Sequence, residues 1–329
     1  MMMSSVAAAF VREMAMAHVP VLTQELLDVL TLSPDSRVVD CTFGAGGHAA
    51  AVGAELGSEG FLVACDHDPI AEEYYLDLRD DLCCPSCFLL GNFADTLGGL
   101  LEEGPDGWAG QGATHIYMDL GVSSMQIDTP ERGFSYNYDA PLDMRMDPLL
   151  RTTAAEILNT WSEGALAGLF ASYGEERYAR RIARAVAGRR RITPFARTAE
   201  LVETIKRAIP TPARFGSGNP ARRVFQALRI EVNDELNSLR RALPEAYALL
   251  EPGGVMAVIS FHSLEDRIVK EFFSGKARGC TCPPDFPMCV CGCKAEGEVL
   301  TRKAVVPGSR EVEVNPRSAS AKLRALRKL

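Results

Sequence analysis

From residue 37 to residue 119 the chain repeats one unit, a short apolar run followed by a turn and a longer mixed segment, which is the pattern of βα units around a parallel sheet. Residues 37–41 (RVVDC) predict a first strand and 49–56 its helix. Residues 61–66 (FLVACD) and 70–81 predict the second pair, 88–90 a third strand leaving through Gly91, Asn92 and Phe93, and 115–119 (HIYMD) a fourth. Strands covered on both faces must be apolar on both faces, so such runs are continuous rather than alternating. Beyond Ser123 the rhythm stops, and helical patterns at 175–191 and 198–208 are separated by Pro and Gly. Residues 222–243 then predict one long amphipathic helix, with Phe225, Leu228, Val232, Leu236 and Leu239 at three- and four-residue steps. After a Pro252-Gly253-Gly254 turn, 255–261 (VMAVISF) bring back a buried strand. The expectation is a doubly wound α/β sheet interrupted by a helical insertion. Its boundaries fall at 1–17 for a leader, 18–124 and 221–278 for the sheet domain, 125–220 for the insertion, and 279–329 for an irregular Cys-rich, basic tail draped on the surface.

Composition narrows the class. With 329 residues, 47% of them hydrophobic, the chain can bury a large core, and no run of about 18 apolar residues predicts a membrane span. Glu13 interrupts the apolar leader and no basic segment precedes it, so a secretory signal is not expected; Met14 or Met16 is an alternative start, since clear patterning begins at His18. A cytoplasmic protein follows, and in that compartment the ten cysteines point to reduced thiols or a metal site rather than disulfides.

Net charge is −8, but it is unevenly spread. Residues 177–223 hold thirteen Lys and Arg against two acids, and 302–329 hold eight against two, so the remainder is strongly acidic. Such asymmetry suits a polyanion held on one face; a solvated helical face explains it equally well. Arg177, Arg180, Arg181 and Arg184 fall at helical spacing and Arg189, Arg190 and Arg191 extend them, which makes this stripe the candidate polyanion contact. The basic tail at Arg317, Lys322, Arg324, Arg327 and Lys328 is a second candidate.

The first predicted strand ends in a loop carrying Gly44, Gly46 and Gly47, where missing side chains let a ligand approach backbone. Asp66 ends the second strand, placed to accept from both hydroxyls of a ribose. The pair indicates a nucleoside cofactor. Spacing alone leaves a dinucleotide and S-adenosylmethionine open, although the Gly-x-Gly-x-x-Gly pyrophosphate fingerprint is absent.

Nine segments in order then make the chain resemble the bacterial ribosomal RNA small-subunit methyltransferase H family, also called MraW: HVPVL, DCTFGAGGH, DHDP, DLGVSS, ERGFSY, PLDMRMDP, FQALRIEVNDEL, PGGVMAVISFHSLEDRIVK and NPRSASAKLRALRK. The resemblance implies a class I, Rossmann-like S-adenosylmethionine-dependent fold with an inserted helical domain. It implies N4-methylation of a cytidine in the decoding region of 16S rRNA in the small ribosomal subunit. It also implies cofactor contacts at Gly46, Gly47, His48, Asp66, Phe93, Asp119 and Gln126. The expected partner is that RNA or subunit, with no membrane and no DNA, and a homodimer left open. An RNA-binding assembly factor that keeps the fold without turnover and an amino-methyltransferase of another nucleic acid are the competing readings.

Cytosine's exocyclic nitrogen is a poor nucleophile because its lone pair is delocalised into the ring, so an oxygen accepting one N–H promotes attack. Asp119, closing the fourth strand, is the candidate, and Ser123 and Asp143 are alternatives touching the base. Many amino-methyltransferases place two prolines and an aromatic after that acid, whereas this chain has Leu120, Gly121 and Val122; Phe134 or Tyr136 is the substitute stacking group. His262, after the resumed strand, is either a base or a structural hydrogen-bonder. Cys280, Cys282, Cys289, Cys291 and Cys293 lie within fourteen residues and suggest structural zinc, although Cys-x-Cys pairs are tighter than usual knuckles.

Overall fold

The computed structural model describes residues 20–102, 104–105, 108, 111–211, 219, 221–279 and 291–329. It has a doubly wound α/β sheet of seven strands: β1 (Arg37–Asp40), β2 (Phe61–Asp66), β3 (Ser86–Leu90), β4 (Ala113–Asp119), β5 (Leu250–Ser260), β6 (Gly297–Val299) and β7 (Lys322–Lys328). Their order is β3-β2-β1-β4-β5-β7-β6. The first five are parallel, while β7 runs antiparallel to both β5 and β6.

The chain divides into two compact units. One holds the described residues up to Gly121 together with Asn237–Leu329, and the other is Val122–Leu236. The core of the first is built from Val39, Val63, Ile116, Met118, Met256 and Val258 of the parallel strands, with Leu239, Leu243 and Phe273 from helices. The second is helical, with Leu158, Phe170, Ile182, Val186, Leu201 and Leu228 at its centre. The helix Ala221–Val232 belongs to it, because Val224, Phe225, Leu228 and Val232 are buried in that core rather than in the sheet.

Two expectations are corrected. The single helix over 222–243 is two helices, Ala221–Val232 and Glu235–Leu249, broken where Asp234 takes φ +49°. Hydrophobic spacing runs through the break, so periodicity could not reveal it. The break serves Asn233, whose buried amide accepts from Met146 N at 2.8 Å and donates to Met144 O at 2.8 Å. Arg132 donates to Arg145 O and Met146 O from another side. Three of the segments that carry the family resemblance thus form one hydrogen-bonded knot. Asn233→Ala strips partners from two buried backbone groups and is expected to cost about 2–4 kcal/mol, read as a lower midpoint in urea denaturation.

The second correction concerns the tail. Residues 322–328 (KLRALRK) are not surface drape but β7, seated between β5 and β6 with Leu323, Ala325 and Leu326 buried. Its basic residues are occupied. Lys322 and Arg324 pair with Asp266, Arg327 with Glu298, and Lys328 donates to the carbonyls of Tyr247 and Leu250. Residues 322–328 are therefore part of the sheet, and their four charges have partners within the fold.

Candidate functional site

In a sheet ordered 3-2-1-4-5 the connections leave β1 and β4 in opposite directions, and a crevice opens beyond their carboxyl ends. The loop after β1 lies there. Gly44 and Gly46 have φ of +56° and +79°, a region that costs other residues. The Gly44 amide donates to Asp66 Oδ2 at 2.7 Å, and Asp68 N donates to Asp66 Oδ1 at 2.9 Å. Asp66 therefore ties the loop to the end of β2, and each carboxylate oxygen keeps a further lone pair for a hydroxyl donor. Burial raises its carboxyl above the usual range, with Asp68 adding to the effect.

At Gly46 a Cβ would lie 2.8 Å from the Phe43 ring, which packs edge-on against Tyr75 and Phe88. Gly46→Ala is expected to cost about 1–2 kcal/mol in backbone strain. Because the ring must also shift, S-adenosylhomocysteine should bind at least tenfold more weakly in a calorimetric titration. Gly47 has Pro20 2.8 Å from its own Cβ position.

Asp119 closes β4. Its amide donates to Thr42 Oγ1 at 2.6 Å, which fastens it to the glycine loop, and Thr42 N in turn donates to Asp40 Oδ1 at 2.9 Å. Asp40 is fully buried, accepts from the Tyr117 hydroxyl at 2.7 Å, and is pushed up to about 7 by burial. The side chain of Asp119 is poised differently. Oδ2 lies 3.5 Å from His48 Nδ1, and Oδ1 is buried with no hydrogen-bond partner among the described residues. Burial first, and then the neighbouring Glu265 carboxylate, push it up to about 8.

His262 is the N-cap of the helix Ser263–Lys276 and is locked to Glu265. Glu265 N donates to His262 Nδ1 at 3.3 Å, and Glu265 Oε2 accepts from Phe261 N and His262 N. This is the structural alternative for His262. Phe93 opens the helix Phe93–Glu102, half-buried against the first unit's core.

The donor set fits a cationic nucleoside cofactor. Asp66, Asp119 and the buried Glu265 gather at these strand ends, and Asp119 Oδ1 is an unspent buried acceptor. Carboxylates attract a sulfonium and accept from hydroxyls, whereas they repel a pyrophosphate.

The second unit carries the other candidates. Ser123 and Gln126 cap each other: Ser123 N donates to Gln126 Oε1 at 3.1 Å and Gln126 N to Ser123 Oγ at 3.4 Å. Asp143 is gripped by Arg145 through two hydrogen bonds of 2.7 and 2.8 Å. Burial works to raise its carboxyl, but Arg145 outweighs it and leaves it below the usual range, which makes it a weak proton acceptor. Tyr136 packs edge-on against Phe225, and Arg132 covers Phe134; both rings lie half-buried against the second core.

On the helix Ala179–Arg190, Arg180, Arg181 and Arg184 are exposed, as are the flanking Arg177 and Arg191. Arg189 and Arg190 are employed internally. Arg189 pairs with Glu200 at 2.9 Å over the Phe195 ring, and Arg190 donates to Leu158 O at 2.7 Å. Among the zinc candidates, Cys280, Cys282 and Cys289 lie outside the described residues; Cys293 Sγ approaches Cys291 O at 3.6 Å.

Glu265, Thr42 and the Asp40–Tyr117 pair were not anticipated. Glu265 had a signal, since Glu three residues after a helix-capping position is capping-box spacing. The others had none, because only strand pairing brings residues 40, 42, 117 and 119 together.

A sequence profile of the MraW methylase family matches residues 15–329. The ribosomal RNA small subunit methyltransferase H of Heliobacterium mobile is 47% identical over 312 residues, 95% of this chain and 99% of that protein. That of Symbiobacterium thermophilum is 48% identical over 322 residues, 96% of this chain and 98% of its own. Among solved structures, an rRNA methylase from Streptococcus thermophilus aligns over 93% of each chain with a TM-score of 0.38 and 12% identity.

Proposed function

The chain belongs to the MraW methylase family, and from that membership and the site geometry we propose that it methylates N4 of a cytidine in the decoding region of 16S rRNA. The methyl donor is S-adenosylmethionine, and the reaction takes place in the cytoplasm on the small ribosomal subunit. The observation that carries the reading is Asp119: a carboxylate at the crevice end of β4, fastened through its amide to the glycine loop, with one buried oxygen unspent among the described residues.

S-adenosylmethionine, when bound, supplies an electrophilic methyl group whose carbon–sulfur bond breaks with its electron pair leaving on sulfur. Gly46, Gly47 and His48 would border the cofactor, and Asp66 would accept from its ribose hydroxyls. Asp119 accepts one N–H of the cytosine amine, turning the nitrogen lone pair toward the methyl carbon, and takes the proton that the nitrogen sheds once the carbon–nitrogen bond has formed. Alignment of this kind, together with placed charge, accounts for most of what an enzyme adds to a displacement. Gln126 is assigned to the cofactor and the exposed arginines of the second unit to the RNA backbone. Ser123 and Asp143 hold local structure.

The test is methyl transfer from labelled S-adenosylmethionine to small subunits lacking the modification, with mass spectrometry of the digested nucleosides. N4-methylcytidine is the expected product. Cofactor binding with no methylated nucleoside would replace this reading with that of a ribosome-assembly factor.

A further inference from the structure

His48 Nε2 lies 2.9 Å from Val21 O. A carbonyl oxygen can only accept, so Nε2 carries the hydrogen, and burial lowers the basicity of the ring and keeps it neutral. Nδ1 of a neutral Nε2–H imidazole is a bare lone pair, and it faces Asp119 Oδ2 at 3.5 Å. Two acceptors facing each other in a buried site repel unless a proton lies between them. The surroundings favour one. Glu265 faces Asp119 from the helix Ser263–Lys276; His48 is faced by Asp40 from β1, by the Tyr117 ring at 6.3 Å, and by Glu311 from the helix Ser309–Val314.

We propose that in the free protein Asp119 holds a single proton on Oδ2, directed at the bare Nδ1 of His48, and that this proton leaves when the positively charged cofactor binds. His48 is then a positioning residue. It holds the Asp119 carboxyl through Nδ1, and it is held itself by Val21. The proton balance of the reaction follows from this. Arrival of a sulfonium displaces one proton from the pair to solvent, leaving Asp119 ionised and able to accept. When methyl transfer turns the sulfonium into a neutral thioether, the proton shed by the amine nitrogen refills the place between Oδ2 and Nδ1. One positive charge therefore occupies the crevice throughout. The inference rests on the cofactor reading above, but not on which nucleoside is methylated.

Two measurements test it without turnover. Nitrogen-15 correlation spectra of the free protein should show His48 as the neutral Nε2–H tautomer, with its Nδ1 shift moving as Asp119 titrates and losing that step in Asp119→Asn. Calorimetry in buffers of different ionisation enthalpy should show close to one more proton released on binding S-adenosylmethionine than on binding S-adenosylhomocysteine, a difference absent in Asp119→Asn. An Nδ1–H tautomer or an imidazolium at His48 would overturn the proton on Oδ2. Equal proton release for the two ligands would overturn its displacement. Either failure leaves the N4-methylcytidine assay free to succeed, so the two readings fall separately.

Discussion

Asp119→Asn is expected to lower methyl transfer by about 100- to 10,000-fold, the range supplied by a positioned proton acceptor. Affinity for S-adenosylhomocysteine should change by less than about tenfold, since the amide keeps the size of the carboxyl and, like its protonated form, offers a donor and an acceptor. The amide cannot ionise, and that is what the reaction loses. Only the ionised carboxylate can take a proton, and burial with Glu265 nearby raises Asp119 to about 8. For the free enzyme, kcat/KM should therefore climb with pH below 8, by up to tenfold per unit, and level off above it. In the variant that limb should be missing. Undiminished turnover in Asp119→Asn, with the cofactor still bound, would remove Asp119 from the chemistry.

The same raised value has a consequence for stability. A carboxyl whose folded-state value is raised above the unfolded one favours the fold fully only while protonated, so its contribution declines between about 4 and 8 as the pH rises. Asp119→Asn should then unfold at a higher temperature than the wild type at pH 8, and the advantage should vanish near pH 4. A residue that weakens the fold at working pH but is needed for turnover is a common compromise in active sites.

Replacing Arg177, Arg180, Arg181, Arg184 and Arg191 together by alanine is expected to uncouple RNA binding from salt. Each phosphate neutralised contributes about 0.7–0.9 to the slope of log affinity against log salt, so five lost contacts should flatten it by about four. The fold should survive, because these side chains are exposed and their contacts are peripheral, Arg184 lying 3.6 Å from Glu163 and Arg177 4.6 Å over the Tyr178 ring. Arg190→Ala should behave in the opposite way. Its guanidinium serves Leu158 O, so the variant should lose stability with little change in salt slope. If the multiple variant binds small subunits with an unaltered slope, the RNA lies on another surface.

Much of the architecture was legible because parallel strands and their helices follow local rules. The centres of β1, β2 and β4 and the part of β5 after Gly254 are apolar runs, and Asp66 and Asp119 could be placed at strand ends by counting. The glycine loop was legible for a related reason, since positive φ at Gly44 and Gly46 demands residues that announce themselves. What escaped were features in which sequence-distant groups meet. The seven residues of β7 read as a basic tail because the buried Leu323, Ala325 and Leu326 are separated by charges whose partners, Asp266 and Glu298, lie far away in the sequence. The break at Asn233 was invisible because its purpose lies at Met144 and Met146.

The amino-acid sequence by itself determined the sheet class, the crevice-forming loop, the carboxylates at strand ends and the family, since each rests on short-range pattern or on motif order. Tertiary structure alone decided which charges are free. It assigned Lys322, Arg324, Arg327 and Lys328 of β7, with Arg189 and Arg190, to internal partners and tied Asp143 to Arg145. It left Asp119 half-satisfied between His48 and Glu265. The physical reason is that the state of an ionisable group depends on desolvation and on the charges within a few ångströms of it, and those neighbours come from strands and helices that only folding brings together.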